Sequence, residues 1–170
     1  MSVLSHDEIL RAIKEKKVQI EPFDQQAVGP ASIDLHLGTI FRVFKQVKDV
    51  FEVTENADFE KITEIVHAKE QFLLLPGQVV HGITIEKIHL PPTLCGRIEG
   101  RSRFGRLGLM VHITASFIQP GTLGHQVLEM NNAGPVPLLL IPGVAICQLI
   151  LEEVRGSAAY VGRFKGQDQP

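Results

Sequence analysis

Four arginines fall within ten residues of this chain: Arg97, Arg101, Arg103 and Arg106, interleaved with Gly100, Ser102, Gly105 and Gly108. A guanidinium offers a planar fork of donors that fits phosphate oxygens, and glycine lets the backbone come close to an anion. Downstream, Glu129 stands between Leu128 and Met130 in an apolar segment. A carboxylate placed there costs free energy unless it is paired or used. Together these residues point to a polyphosphate ligand with a general base at its other end. Each half also has a structural reading, as a solvated basic loop and as a glutamate paired with a nearby arginine.

Other chemistries find less support. Zinc-dependent nucleoside deaminases join a His-x-Glu element to Pro-Cys-x-x-Cys, and this chain has no Cys-x-x-Cys. Its only cysteines, Cys95 and Cys147, sit far apart in apolar settings and read as buried free thiols of a reducing compartment. His112 and His125 read as hydrogen-bonded structural residues, so no protein-bound metal is expected. Mg2+ would arrive with a nucleotide, held mainly by its phosphates. No P-loop, dinucleotide fingerprint or nucleophile elbow is present.

The elements that must position these residues are mostly strands. At 170 residues the chain fits one domain with a real core. Its formal net charge of −2 argues against a general nucleic-acid partner. It has neither a leader-like start nor an apolar run of about 20 residues, so a cytoplasmic protein without a membrane partner is expected. Ser5-x-x-Glu8 before Ile9, Leu10 and Ile13 predicts a capping box and an amphipathic helix fading at Lys16-Lys17. Strands are predicted at 32–38, 41–44, 71–75, 79–85, 94–98, 109–114, 126–130, 136–141 and 145–152, with a charged loop at 50–63. Pro-Gly punctuation between short strands implies an all-β sandwich or closed barrel. This domain spans 1–154, followed by a polar, glycine-rich tail at 155–170 that reads as flexible. The apolar segment 135–141 reads as core strand or as a contact between subunits.

In order along the chain come Ile20-x-Pro22-Phe23, then Val28-x-Pro30-x-Ser32-Ile33-Asp34-x-x-Leu37-Gly38, then Leu75-Pro76-Gly77. Gly100-Arg101-Ser102 follows, with Gly105-Arg106-Leu107-Gly108-Leu109, His112-x-Thr114-Ala115, Ile118-x-Pro120-Gly121, Gly124 and Leu128-Glu129. This series resembles the dCTP deaminase branch of the dUTPase superfamily over nearly the whole chain, most specifically over residues 96 to 129. The resemblance implies a distorted, jelly-roll-like β-barrel with a short N-terminal helix. It also implies a homotrimer with shared sites, and zinc-free hydrolysis of dCTP to dUTP and ammonia, with Mg2+ carried by the nucleotide and dTTP as an effector.

By the same resemblance, Glu129 is the base that activates water for attack on C4. Ser102 and the carbonyl of Ala115 position that water and the leaving amine, and Arg106 is the cation near the reacting centre. Arg101 contacts the triphosphate, and Arg103, where a serine is usual, is a further contact. Gln119 replaces an aspartate near the deoxyribose that serves diphosphate hydrolysis in dUTPases. Tyr160, Arg163 and Gln167 belong to a tail that closes over the nucleotide, with Phe164 where a tyrosine is usual. The alternatives are a dUTP diphosphatase, a bifunctional deaminase-diphosphatase, or a nucleotide-binding homologue without catalysis.

Overall fold

The computed structural model describes residues 2–48, 50–162 and 166–170. Helix α1, His6–Lys14, turns Ile9 and Ala12 into the core and carries Asp7 and Glu8 in its first turn, Arg11 and Lys14 in its last. Those charges complement the helix dipole. The capping box does not form: the Ser5 side chain makes no capping hydrogen bond, and Glu8 pairs with Arg11 at 3.0 Å instead. Burial of Ile9 is the stronger force in so short a helix.

Eleven strands follow among the described residues: β1 Gln19–Glu21, β2 Ile33–Phe44, β3 Thr63–His67, β4 Phe72–Leu74, β5 Val79–His89, β6 Leu94–Gly100, β7 Leu109–Val111, β8 Phe117–Ile118, β9 Leu123–Asn132, β10 Leu138–Leu140 and β11 Ala145–Glu153. A four-residue helix, α2 at Ser102–Gly105, interrupts the series before β7. Nine strands form one antiparallel sheet in the order β7-β9-β5-β2-β11-β6-β8, with β1 beside β5 and β3 beside β2. Strands β4 and β10 make a separate pair.

The sheet curls into a distorted barrel because its longest strands bend. Register shifts fall between Leu37 and Phe41 in β2 and between Ile83 and Lys87 in β5. At the first, a Cβ on Gly38 would lie 2.9 Å from the Ile83 carbonyl oxygen, so only glycine permits the approach. The bend joins the segments 32–38 and 41–44, predicted as separate, into one strand. Strands β1, β3 and β8 escaped the sequence reading because they are two to five residues long and show no full period of alternation.

Inside the curl, Leu35, Leu37, Phe41, Ile88, Leu128, Met130 and Leu149 are shut off from solvent. Phe41 stacks on Phe72 at 4.5 Å between centroids, which fastens the β4–β10 pair to the barrel. In β10 only Leu140 is core; Leu139, opposite Leu73, is 54% exposed. Both cysteines are buried and unpaired, as expected. Among the described residues no helix is long and apolar enough to cross a membrane.

Candidate active site

Strand β9 alternates Leu128 and Met130 inward with Val127, Glu129 and Asn131 outward and half-buried. The loop after β7 folds back onto it. The amides of His112 and Ile113 donate to the Glu129 carbonyl at 2.7 and 3.1 Å. Thr114 holds the carboxylate itself, its amide donating to Oε2 at 2.9 Å and its hydroxyl at 2.5 Å. Both bonds fall on one oxygen, and no hydrogen bond among the described residues reaches Oε1. Burial works to raise the pKa of Glu129, but the Thr114 bonds, with His112 and His81 adding to them, outweigh it and hold the carboxyl below its ordinary value.

His112 adopts the left-handed backbone region, φ 62°. Its Nε2 donates to the Ala115 carbonyl at 2.8 Å, so the predicted oxygen is already engaged within the chain. A carbonyl has a second lone pair, which leaves it able to accept again.

The arginine cluster divides. Ser102 opens α2, and Arg103 and Arg106 stand exposed beside it. Arg101 is tied down, donating to Asp34 Oδ2 and to the Ala145 carbonyl, both at 2.8 Å. Gln148 Nε2 reaches the other Asp34 oxygen at 3.4 Å. Arg97 pairs instead with buried Glu152 on β11 at 2.5 Å, a structural ion pair rather than part of an anion site. The turn after α2 requires Gly108 at φ 87°, where a Cβ would sit 2.6 Å from Gly134 Cα.

A cavity of about 320 Å³ gathers Arg101 and Ser102 with Gly100, Gly105, His112 and Ile113. Glu129, Ala115, Arg103, Arg106 and Gln119 are not on its walls. Thus His112 and Ile113 line this pocket, while the next residue, Thr114, holds the Glu129 carboxylate. A second cavity, about 230 Å³, lies beyond the Arg101–Asp34 pair and includes the His36–Glu86 contact of 2.5 Å.

Gln119 is exposed in the turn that leads to β9, and Thr122 donates to its carbonyl at 3.3 Å. The tail returns to this region. Tyr160 donates its amide to Pro120, Gly166 to Leu123, and His125 to the carbonyl of Gln167, at 2.8, 2.7 and 3.2 Å. The Gln167 side chain donates to the His125 carbonyl at 3.4 Å. Farther on, Arg42 Nε donates to the Pro170 carbonyl at 2.5 Å. Gln167 therefore lies along β9, the strand that bears Glu129. Arg163 and Phe164 lie outside the described residues.

Three residues at this site carried no assigned role in the sequence. Thr114 stood in a recognised motif without a task, and Asp34 likewise. His81 on β5 pairs directly with Glu129 across the sheet, a relation that only strand register reveals.

The family model described as dCTP deaminase-like matches residues 3–154. Curated relatives named "dCTP deaminase, dUMP-forming" include one from Parafrankia sp. (strain EAN1pec), 40% identical over 99% of this chain and 88% of its own length. Another, from Mycolicibacterium smegmatis, is 40% identical over 99% of this chain and 93% of its own. Among solved structures, the 2'-deoxycytidine 5'-triphosphate deaminase from Agrobacterium tumefaciens aligns with TM-score 0.68 and 22% identity over 88% of this chain. The chain spans about half of that structure's chain, 47%, and the likeness is one of fold.

Proposed function

Because the chain belongs to the dCTP deaminase-like family, we propose that it hydrolyses the exocyclic amine of dCTP, with Glu129 as the base. The observation that carries this reading is the asymmetry of the carboxylate. Thr114 fixes Oε2 and holds the carboxyl below its ordinary value, while Oε1, without a hydrogen bond among the described residues, is open to take a proton from water. Water loses that proton to Glu129 and adds to C4, which becomes tetrahedral. The proton then passes to the amine, the C4–N bond breaks, and ammonia leaves with the carboxylate restored.

Arg106, the Ser102 hydroxyl and the Ala115 carbonyl are assigned to the developing charge and to the orientation of water and amine. Fixed dipoles of this kind contribute about 10²–10³ each in rate, and a positioned carboxylate about 10²–10⁴. Arg101, Arg103 and the tail residues Tyr160, Arg163 and Gln167 are assigned to the nucleotide, with Mg2+ as part of the triphosphate substrate. A trimer belongs to the reading: in a single chain Glu129 is not among the residues that line the Ser102 pocket, which suits a site completed by a second copy. Inhibition by dTTP belongs to it as well.

The first product is dUTP. A second reading has the same chain continue to dUMP and pyrophosphate, and the names of relatives at 40% identity favour it. Gln119 weighs the other way, since an amide cannot act as a carboxylate base there. Incubating the protein with dCTP, and separately with dUTP and Mg2+, then separating nucleotides by chromatography, decides the matter. Ammonia with dUTP supports deamination alone; dUMP with pyrophosphate supports the second reading. Tight dCTP binding with no turnover at any protein concentration would leave only a nucleotide-binding homologue. Glu129→Gln should still bind dCTP and lose deamination by about 10³ or more.

A further inference from the structure

On the outer face of the sheet three side chains share one rung: Arg42 on β2, His81 on β5 and Glu129 on β9. Residues directly opposite in antiparallel strands project to the same side, with Cβ atoms about 4.5–5.5 Å apart. Arg42 is committed elsewhere, to the Pro170 carbonyl at 2.5 Å, to Thr63 Oγ1 at 3.1 Å and over the Phe59 ring at 5.0 Å. Phe44 meets the His81 ring edge-on at 5.4 Å. The imidazole is therefore enclosed between a fixed cation and the candidate base. Burial pushes its proton affinity below the ordinary value, Glu129 works to raise it, and Arg42 lowers it. Among the described residues, the charged groups facing His81 are Arg42 from β2 and Glu129 from β9; His112, from the loop after β7, faces Glu129 from the opposite side.

We propose that His81 is a positioning residue for the base: as an uncharged ring it takes no further basicity from Glu129, and deamination slows on acidification when His81 takes up a proton. The inference rests on the reading of Glu129 as the base. An imidazolium on this rung would weaken the carboxylate's hold on a proton by about tenfold or more. Proton abstraction from water slows with that loss of basicity. A leucine at the same position would fill the space and leave the base to titrate alone.

The test is kcat at saturating dCTP from about pH 5 to 8, the window in which an imidazole changes charge. The native chain, His81→Leu and His81→Gln are compared, each profile normalised to its own plateau. The native rate should fall about tenfold toward the acid end, while both variants hold their plateau down to the carboxylate range. Titration of the substrate and of His112 is common to all three. An acid limb unchanged in the variants overturns the proposal.

A second measurement needs no turnover. The His81 ring resonance, assigned by its absence in His81→Gln, is titrated by NMR in the native chain and in Glu129→Gln. Loss of the carboxylate should make His81 about tenfold weaker in binding its proton; an unchanged midpoint overturns the pairing. Absence of deamination in the native chain overturns the function itself. That result differs from a failed inference, in which the native chain turns dCTP over with the same limb as the variants.

Discussion

At the level of single residues, it is Thr114, fifteen positions earlier in the chain, that holds the Glu129 carboxyl below its ordinary value against burial. A glutamate on a half-covered strand would otherwise drift toward the neutral form, which cannot accept a proton. Thr114→Val removes the hydroxyl bond and keeps the volume. Since the folded protein holds this carboxyl below its ordinary value, its stabilisation is present above the ordinary carboxylate range and fades as pH falls through the lowered value. The native chain should therefore exceed Thr114→Val in stability by about 1 kcal/mol at neutral pH, after solvent screening. Thermal melts from neutral to about pH 3 should show that gap narrowing; a constant gap would remove Thr114 from the role. Glu129 was legible in the sequence because a charge interrupts an apolar run. Its partners were not, since a hydroxyl in a loop and a histidine on another strand meet it only through tertiary register. Arg97 was misread for the same reason: spacing grouped it with Arg101, whereas the register of β6 on β11 brings it to Glu152.

At the level of elements, the loops on either side of α2 and β7 set where the chemistry stands, and glycine makes one of them feasible. Gly108→Ala forces a side chain into φ 87° against Gly134, and should destabilise the protein by about 1–3 kcal/mol in urea titrations. Gly105→Ala has no heavy atom within 4 Å of the new Cβ, lies inside α2, and should change stability by under about 1 kcal/mol. Equal effects at the two sites would refute the turn argument. The longer strands could be read from alternation and Pro-Gly breaks, because burial on one face imposes a period of two. The bend that fuses two predicted strands into β2 could not, because it depends on Gly38 meeting the Ile83 carbonyl across the sheet. The tail's path along β9 rests on backbone bonds through Tyr160, Gly166 and Gln167, which composition does not encode.

At the level of the whole molecule, the Glu129 carboxylate is not on the walls of the Ser102 pocket in one chain, and the trimeric reading makes a direct prediction. Ser102→Ala and Glu129→Gln should each be severely impaired alone. Co-refolded in equal amounts, they should regain about a quarter of native activity, because that share of shared sites draws both intact groups from different copies. No recovery in a mixture shown to be trimeric would confine the site to one chain. The two buried thiols bear on the same global scale. Cys95 and Cys147 are 7% and 0% exposed, and burial pushes the proton affinity of both upward. A maleimide or disulfide dye needs an accessible thiolate, so in the native protein it has nothing to react with until the barrel opens. Labelling rate then becomes a clock for barrel opening, without any engineered probe. Bound nucleotide should slow that clock in proportion to the free energy it adds to the folded state.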